Sequence, residues 1–248
     1  MPNQPALIVT EIIRRLEQGV TRPFLVRAED GQLYVAKGQE TTQRGLIAEW
    51  LCAHLAREAG LRIPDFTLLE VPPELADAFG PEGRSLGSGL VFGSLREADV
   101  QEFAITQLKH IDVEDRRRLL VFDWWVENAD RSLTPHGGNP NLLWRAAQSR
   151  LIAIDHNLAF DRAFDEAAFF ETHVFREDAD AVFNDLVRQV ETSASLTAAL
   201  GCFDATVASL PPAWHWIDLE QTVPVEVDLN AIKARLAVRA GLQRGSQS

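Results

Sequence analysis

The chain has 248 residues, of which 46% are hydrophobic and 24% charged, a composition typical of a globular protein with a sizeable core. Its 36 acidic residues outnumber its 24 basic ones and give a formal net charge of −12. This charge argues against sequence-independent nucleic-acid binding, because the basic residues form only one short run, at 116–118. It also argues against action on anionic membranes, which attract basic patches.

The cysteines and the N-terminal residues narrow the class of protein further. Cys52 and Cys202 lie far apart without CxxC spacing, which argues against a structural zinc site and a disulfide framework. Residues 1–5 lack a basic region followed by an apolar stretch, and no segment approaches 18 continuous apolar residues. We therefore expect a soluble, cytoplasmic protein with no membrane partner.

The first elements in the chain are a helix and a hairpin. Residues 10–18 carry apolar side chains at helical spacing and are followed by Gly19, which predicts a short amphipathic helix. Two strand-like runs, 24–27 and 33–36, flank a turn with an Asp-Gly pair, which predicts a hairpin.

The next segment, up to residue 92, alternates helix, strand and loop. Residues 42–59 have one apolar stripe and end before Gly60, which predicts a helix. Residues 64–69 and 90–92 are typical of strands. Between them, residues 71–88 are rich in proline and glycine, which predicts an irregular loop.

The rest of the chain is mainly helical in its pattern. The pattern turns helical near residue 97, and the strongest predicted helix covers 113–127. A loop over 128–139 leads into a hairpin formed by 141–144 and 151–155. Residues 165–241 are mostly helical. We expect a sheet-plus-helix first part (1–95), a helical second part (96–241) and a disordered tail (242–248), with a ligand cleft near residues 93–97.

The most informative residues for function are Asp130, Asn141 and Asp155. One Asp opens a loop after a buried helix, the Asn leads into a strand, and the second Asp ends the paired strand. This order places three oxygen-bearing side chains at one end of a two-stranded ribbon. Phosphoryl transfer needs a carboxylate near the attacking hydroxyl and oxygen ligands for Mg²⁺, and these residue types suit both tasks.

Lys37 is a candidate for contact with the phosphates of a nucleotide. Only three of the 24 basic residues are lysines, and this one ends a predicted strand. Glu49, one helix later, is a candidate ion-pair partner, although a solvated Lys and a solvated Glu are the plain alternatives. Residues 19–23, with Gly19 and Thr21, are a candidate loop over the phosphates.

Together these residues make the chain resemble the HipA-like kinases. The resemblance lies within residues 20–160. It rests on Lys37 and Glu49, on Phe122-Asp123-Trp124-Trp125 leading into Asn128-Ala129-Asp130-Arg131, on Asn141-Leu142-Leu143 and on Ile154-Asp155. The segment 154–160 also resembles the metal-binding segment of type II phosphatidylinositol 4-kinases. The resemblance implies an α+β, two-lobed protein-kinase-like fold with a small antiparallel-sheet N-lobe and a mainly helical C-lobe.

The resemblance also implies a role for each site residue. It makes Asp130 the catalytic residue that accepts or orients the substrate hydroxyl proton, and Asn141 and Asp155 the Mg²⁺ ligands. It also implies that Lys37 contacts the phosphates of ATP and that Glu49 is its ion-pair partner. By the same resemblance, residues 89–93, including Val91 and Phe92, are expected to lie beside the adenine. The long loop before Asn141 leaves Asn139 as a rival metal ligand.

Asp123 and the two histidines His136 and His156 are not expected to be catalytic. Asp123, within an apolar helix, is expected to be a buried structural carboxylate that bonds nearby backbone. His136 and His156 lack the spacing of a metal hydrolase such as HExxH.

The sequence thus predicts an ATP- and Mg²⁺-dependent kinase that phosphorylates a hydroxyl, most plausibly Ser or Thr of a protein. The alternatives are a small-molecule or lipid kinase and a nucleotide-binding pseudokinase that acts as an interaction module. The expected partners are ATP and a protein substrate, and a regulatory partner protein is a further candidate.

Overall fold

The structure is a computed structural model that describes residues 5–17, 22–134, 137–218 and 220–242. The chain forms two compact units, each assembled from three segments. The first contains Met1–Trp50, Pro64–Ala98 and Ser209–Val227, and the second contains Leu51–Ile63, Asp99–Ala208 and Asp228–Ser248. The predicted lobe boundary near residue 95 stays a prediction. The tail expected to be disordered falls, after Leu242, outside the described residues.

The first unit is built around a closed sheet of five strands in the order β1-β2-β3-β5-β4. The strands are β1 (Leu7–Arg15), β2 (Phe24–Ala28), β3 (Leu33–Lys37), β4 (Phe66–Val71) and β5 (Gly89–Leu95). Neighbouring strands are antiparallel except β1 and β4, which pair in parallel. The expectation of a purely antiparallel sheet is therefore wrong, because the parallel pair closes the sheet and leaves neither strand as a free edge.

The helix that the sequence predicts over residues 10–18 is absent wherever the structure describes these residues, so this prediction is wrong. Leu7–Arg15 is a strand whose buried residues, Val9 and Ile12, lie three positions apart. The register against β2 shifts between Val9 and Glu11 and again between Ile12 and Arg14. Such irregularities insert extra residues into the two-residue alternation, so the apolar spacing imitates a helix.

The hairpin of β2 and β3 is confirmed, with Phe24 paired to Ala36 and Arg27 to Leu33. The helix α1 (Thr42–Glu58) is confirmed as well. The segment expected to be an irregular loop instead contains two short helices, α2 (Pro73–Ala78) and α3 (Pro81–Leu86). Each begins with its proline, whose fixed φ and missing N–H suit the first turn of a helix.

The second unit combines a small sheet with most of the helices. Strands β6 (Gln101–Glu102), β7 (Leu142–Arg145) and β8 (Arg150–Ala153) form an antiparallel sheet, so the predicted hairpin is confirmed. The helical pattern expected from residue 97 gives way to β6 and a 3₁₀ turn, Ile105–His110. The helices are α4 (Val113–Trp125), α5 (Glu166–Thr172), α6 (Ala179–Phe183), α7 (Leu186–Leu200), α8 (Phe203–Ala208) and α9 (Leu229–Arg239).

Helix α4 positions the candidate site. Asp112 caps its first turn by accepting hydrogen bonds from the backbone N–H groups of Glu114 and Asp115. Its last two turns are completely buried, with Phe122, Trp124 and Trp125 almost inaccessible to solvent. This apolar segment anchors the loop that begins at its end. In the part of the chain that the structure describes, no helix has the length and apolar character needed to cross a membrane.

Candidate active site

The second unit brings three predicted site residues together. Asp130 lies in the loop after α4, Asn141 directly precedes β7, and Asp155 follows β8. Leu142 pairs with Ala153, and the Ile154 N–H donates to the Asn141 carbonyl at 3.1 Å. The hairpin therefore holds Asn141 and Asp155 at the same end of the ribbon.

Asp130 joins this end of the hairpin through its carboxylate. Its Oδ2 accepts a hydrogen bond from Asn141 Nδ2 at 2.7 Å and another from Asn139 Nδ2 at 3.0 Å. Both rival asparagines therefore reach the same oxygen, although Asn139 is exposed and Asn141 is half-buried. Because each amide donates its nitrogen to Asp130, the oxygen of each is directed elsewhere and can accept or ligate.

The electrostatics of the site favour a cation. Burial raises the pKa of Asp130, and the negative charge of Asp155 raises it further, which outweighs the hydrogen bonds from the two asparagines and the charge of Arg131. Two carboxylates that repel each other are stabilised when a cation lies close to both.

The donor set fits magnesium. Within the described residues, no group of three His, Cys, Asp or Glu side chains could hold a metal ion by itself. Mg²⁺ does not need such a cage, because it is commonly bound by one or two carboxylates together with the phosphates of a substrate. Asp155 and Asn141 supply oxygen ligands of that kind.

The backbone at both candidate ligands is unusual. Asn141 has φ +47° and Asp155 has φ +60°, which is the left-handed region. Asn and Asp enter this region more readily than other non-glycine residues. Such conformations persist where the surroundings enforce them, and they cluster at functional sites.

A buried polar network lies behind the site and includes residues that sequence reasoning did not assign. The side chains of Arg131 and Asp123 are both fully buried, and Arg131 Nε donates to Asp123 Oδ2 at 2.7 Å. Asp123 also accepts hydrogen bonds from Asn128 Nδ2 at 3.0 Å and from His173 Nε2 at 3.1 Å. Asp123 is therefore a buried structural carboxylate, as the sequence predicts. Its hydrogen-bond partners are side chains, however, and not the nearby backbone groups that the sequence analysis expects.

Burial and the neighbouring groups of this network shift the pKa values of Asp123 and His173. Burial raises the pKa of Asp123, but the charge of Arg131 and the hydrogen bond from His173 outweigh burial and leave the pKa well below its usual range. Burial lowers the pKa of His173, whose Nδ1 accepts from the Phe175 N–H. The signal that could have found Arg131 is Asp123 itself, since a carboxylate within an apolar helix needs a nearby cation.

The two histidines singled out in the sequence have different outcomes. His156 is buried, and its Nε2 lies 3.1 Å from an Arg131 guanidinium nitrogen, so the ring accepts a hydrogen bond there. His136 lies outside the described residues.

In the first unit, Lys37 and Glu49 form a buried ion pair between the end of β3 and helix α1. Lys37 is 7% exposed and Glu49 is 3% exposed, so neither is a solvated surface charge. The pairing of these side chains is therefore present, while the contact of Lys37 with phosphates stays a prediction.

The remaining predicted nucleotide contacts are less informative. Gly19 and Thr21 lie outside the described residues. Val91 is part of the core of the closed sheet, and the ring of Phe92 stacks against Phe66 with centroids 6.1 Å apart. Both side chains thus serve packing, and their position beside adenine stays a prediction.

Comparison with known proteins places the chain among kinases. A family model described as HipA-like kinase matches residues 9–241. The chain therefore belongs to the HipA-like kinase family. No curated protein matches it.

Solved structures provide distant neighbours. The proinflammatory kinase CtkA of Helicobacter pylori is 10% identical with a TM-score of 0.40, and the match covers 95% of this chain and 93% of that one. A complete CtTel1 dimer is 12% identical with a TM-score of 0.30, covering 94% of this chain and 12% of that one. The open conformation of CtTel1 is 12% identical with a TM-score of 0.29, covering 92% and 11%.

Proposed function

We propose that the chain is an ATP- and Mg²⁺-dependent kinase that transfers the γ-phosphate to the hydroxyl of a Ser or Thr in a protein. The observation that carries this proposal is the grouping of Asp130, Asn141 and Asp155 at one end of the β7–β8 hairpin. A cytoplasmic location belongs to the proposal, because ATP is available there.

In the proposed reaction, Asp130 receives the proton of the substrate hydroxyl. The hydroxyl oxygen forms a bond to the γ-phosphorus, the bond from that phosphorus to the bridging oxygen breaks, and ADP leaves with the electron pair. Oδ2 of Asp130 is already occupied by two amide donors, so Oδ1 is the oxygen assigned to the proton. The raised pKa of Asp130 brings this carboxylate closer to the basicity that proton transfer requires.

The other residues bind and orient the nucleotide. Asp155 and Asn141 would hold Mg²⁺, which when bound neutralises phosphate charge. Lys37, held by Glu49, supplies a compact ammonium for the phosphates. Positioning and electrostatics of this kind account for most of the catalysis of phosphoryl transfer.

The test is phosphate transfer from radiolabelled ATP with Mg²⁺ to the protein itself and to a library of Ser- and Thr-containing peptides. Asp130→Asn should lower transfer by about 10²- to 10⁴-fold, because general-base assistance is lost. Nucleotide binding should be nearly unchanged. Asp161→Asn, at an exposed carboxylate of the same unit, should retain the parent rate.

Other outcomes would assign a different function. Parent-like transfer by Asp130→Asn would remove Asp130 from the catalytic role. Nucleotide binding without transfer in the parent would favour the pseudokinase. Transfer to a lipid or small molecule, with no transfer to peptides, would retain the kinase and replace its substrate class.

A further inference from the structure

Arg131 directly follows the proposed catalytic Asp130, yet its side chain is completely buried. One edge of the guanidinium is bound to Asp123 through Nε. Asp123 is in turn fixed by Asn128 and His173, so the carboxylate and the Nε edge cannot rotate independently. The guanidinium is a planar fork of five donors, and anchoring one edge fixes the direction of the others.

Another part of the guanidinium reaches backbone carbonyls at both candidate metal ligands. One terminal nitrogen of Arg131 lies 3.1 Å from the Pro140 carbonyl oxygen and 3.2 Å from that of Ile154, and it also donates to the Asn141 carbonyl. The other terminal nitrogen contacts His156. A single side chain thus binds the peptide groups that precede Asn141 and Asp155.

These contacts bear on the unusual backbone conformations. The Pro140 carbonyl is coplanar with the N–H of Asn141, and the Ile154 carbonyl is coplanar with the N–H of Asp155. Fixing these two planes restricts φ at Asn141 and Asp155, where φ is +47° and +60°. Left-handed backbone at non-glycine residues persists where the surroundings over-determine it, and the contacts of Arg131 with these two planes are part of those surroundings.

We propose that Arg131 is a positioning residue that directs Asn141 and Asp155 toward a shared Mg²⁺. The inference rests on the proposed function, because it assigns Asn141 and Asp155 to the metal. Charge compensation of Asp123 alone would be served by any buried cation. Binding Asp123 through Nε, the three carbonyls through one terminal nitrogen and His156 through the other needs a forked donor, which the single nitrogen of a lysine does not provide.

The matched pair of variants is Arg131→Lys and Arg116→Lys. Arg116, in the second unit, also binds a carboxylate through two nitrogens of its guanidinium. Its Nε lies 2.8 Å from Asp178 Oδ2, and one terminal nitrogen lies 3.3 Å from Asp178 Oδ1. Both variants keep the positive charge and lose the fork. Only Arg131→Lys removes contacts with the peptide groups next to Asn141 and Asp155.

The first measurement is the thermal stability of each protein with saturating ATP across a series of Mg²⁺ concentrations. In Arg131→Lys the Mg²⁺ concentration for half-maximal stabilisation should rise by about 10- to 100-fold, the usual effect of losing a group that orients metal ligands. Stabilisation by ATP in EDTA should not change. Arg116→Lys should match the parent in both.

The second measurement needs neither metal nor activity. Amide hydrogen exchange in the metal-free proteins should be faster over residues 140–155 in Arg131→Lys than in the parent or in Arg116→Lys. An unchanged Mg²⁺ midpoint together with unchanged exchange would overturn the role of Arg131. A parent that shows no Mg²⁺-dependent stabilisation would overturn the proposed function, whereas the exchange data would still report whether Arg131 holds the hairpin.

If Arg131→Lys fails to fold, Asp123→Asn provides a second test of the same network. This change preserves the shape of the anchor and leaves the donors to the carbonyls in place, so both effects should appear in the same direction and be smaller. Failure of both variants to fold would overturn the proposal, because the network would then be a requirement for the stability of the unit.

Discussion

At the scale of single residues, each unit contains a buried ion pair among its described residues. Lys37 pairs with Glu49 in the first unit, and Arg131 pairs with Asp123 in the second. A buried ion pair contributes little net stability over apolar residues of similar size, but removing one partner is costly because it leaves a buried charge uncompensated. Because a buried ion pair adds so little net stability, its presence in a fold makes it a candidate for function.

The Lys37–Glu49 pair can be tested with a double variant. Lys37→Met should lower the free energy of unfolding by about 3 kcal/mol, since Glu49 loses this cation. Adding Glu49→Gln should restore much of that stability, but the affinity for ATP should stay low because the ammonium is absent. Urea unfolding and ATP titration measure the two effects.

Lys233 provides the control for this pair. It contacts Asp204, and its side chain is 41% exposed, so Lys233→Met should cost under about 1 kcal/mol. Equal losses of stability in Lys37→Met and Lys233→Met would contradict the importance of the buried pair. Restored ATP affinity in the double variant would remove Lys37 from the nucleotide site.

At the scale of elements, the closed sheet depends on a close approach between neighbouring strands. Gly93 lies within β5 opposite Thr67 of β4, and a Cβ added to Gly93 would lie 2.5 Å from the side chain of Leu69. Leu69 is fully buried in the core of the sheet. The sequence predicts a strand only over 90–92, but β5 continues through Gly93 to Leu95, and the glycine provides space for Leu69.

Gly93→Ala should therefore lower the free energy of unfolding by about 1–3 kcal/mol through overpacking. Leu69→Ala should cost about 2–5 kcal/mol by itself through the cavity it leaves. In the double variant the two losses should be less than additive, because the smaller side chain makes room for the new methyl group. Denaturant unfolding of the four proteins gives the coupling energy. Additive losses would show that Leu69 is not the obstacle, and Ser94→Ala controls for a change elsewhere on β5.

At the scale of the whole molecule, the chain passes more than once between its two units. Residues 51–63 belong to the second unit, although they lie in sequence between segments of the first, and residues 209–227 return to the first unit. A ligand that binds only the folded protein raises its stability, so ligand binding is best measured on the complete chain.

ATP with Mg²⁺ should raise the stability of the complete protein by about 2.7 kcal/mol at a hundredfold excess over its dissociation constant. Asp155→Ala should abolish the Mg²⁺-dependent part of this increase, because it removes a proposed ligand. Asp161→Ala should behave like the parent. Thermal unfolding with ATP, with ATP and Mg²⁺, and with neither measures the effect. No increase at millimolar nucleotide would rule out both the kinase and the nucleotide-binding pseudokinase.

Local patterns in the sequence determined much of the fold. The hairpins of β2–β3 and β7–β8 and the helices α1 and α4 follow from turn residues and apolar periodicity, which act over a few neighbouring residues. The same locality explains the error at β1, where strand irregularities reproduce helical spacing. It also explains α2 and α3, where prolines that suggested a loop begin short helices.

The sequence by itself determined the family and the order of Asp130, Asn141 and Asp155, because these are properties of motifs and their spacing. Only the tertiary structure decided how Glu49 meets Lys37, how β1 closes the sheet against β4, and how Arg131 joins Asp123 to the carbonyls beside Asn141 and Asp155. These contacts link segments that are distant in the chain. A buried charge requires an ion-pair or hydrogen-bond partner, and a strand edge requires a paired strand. These partners come together only when the whole unit has folded.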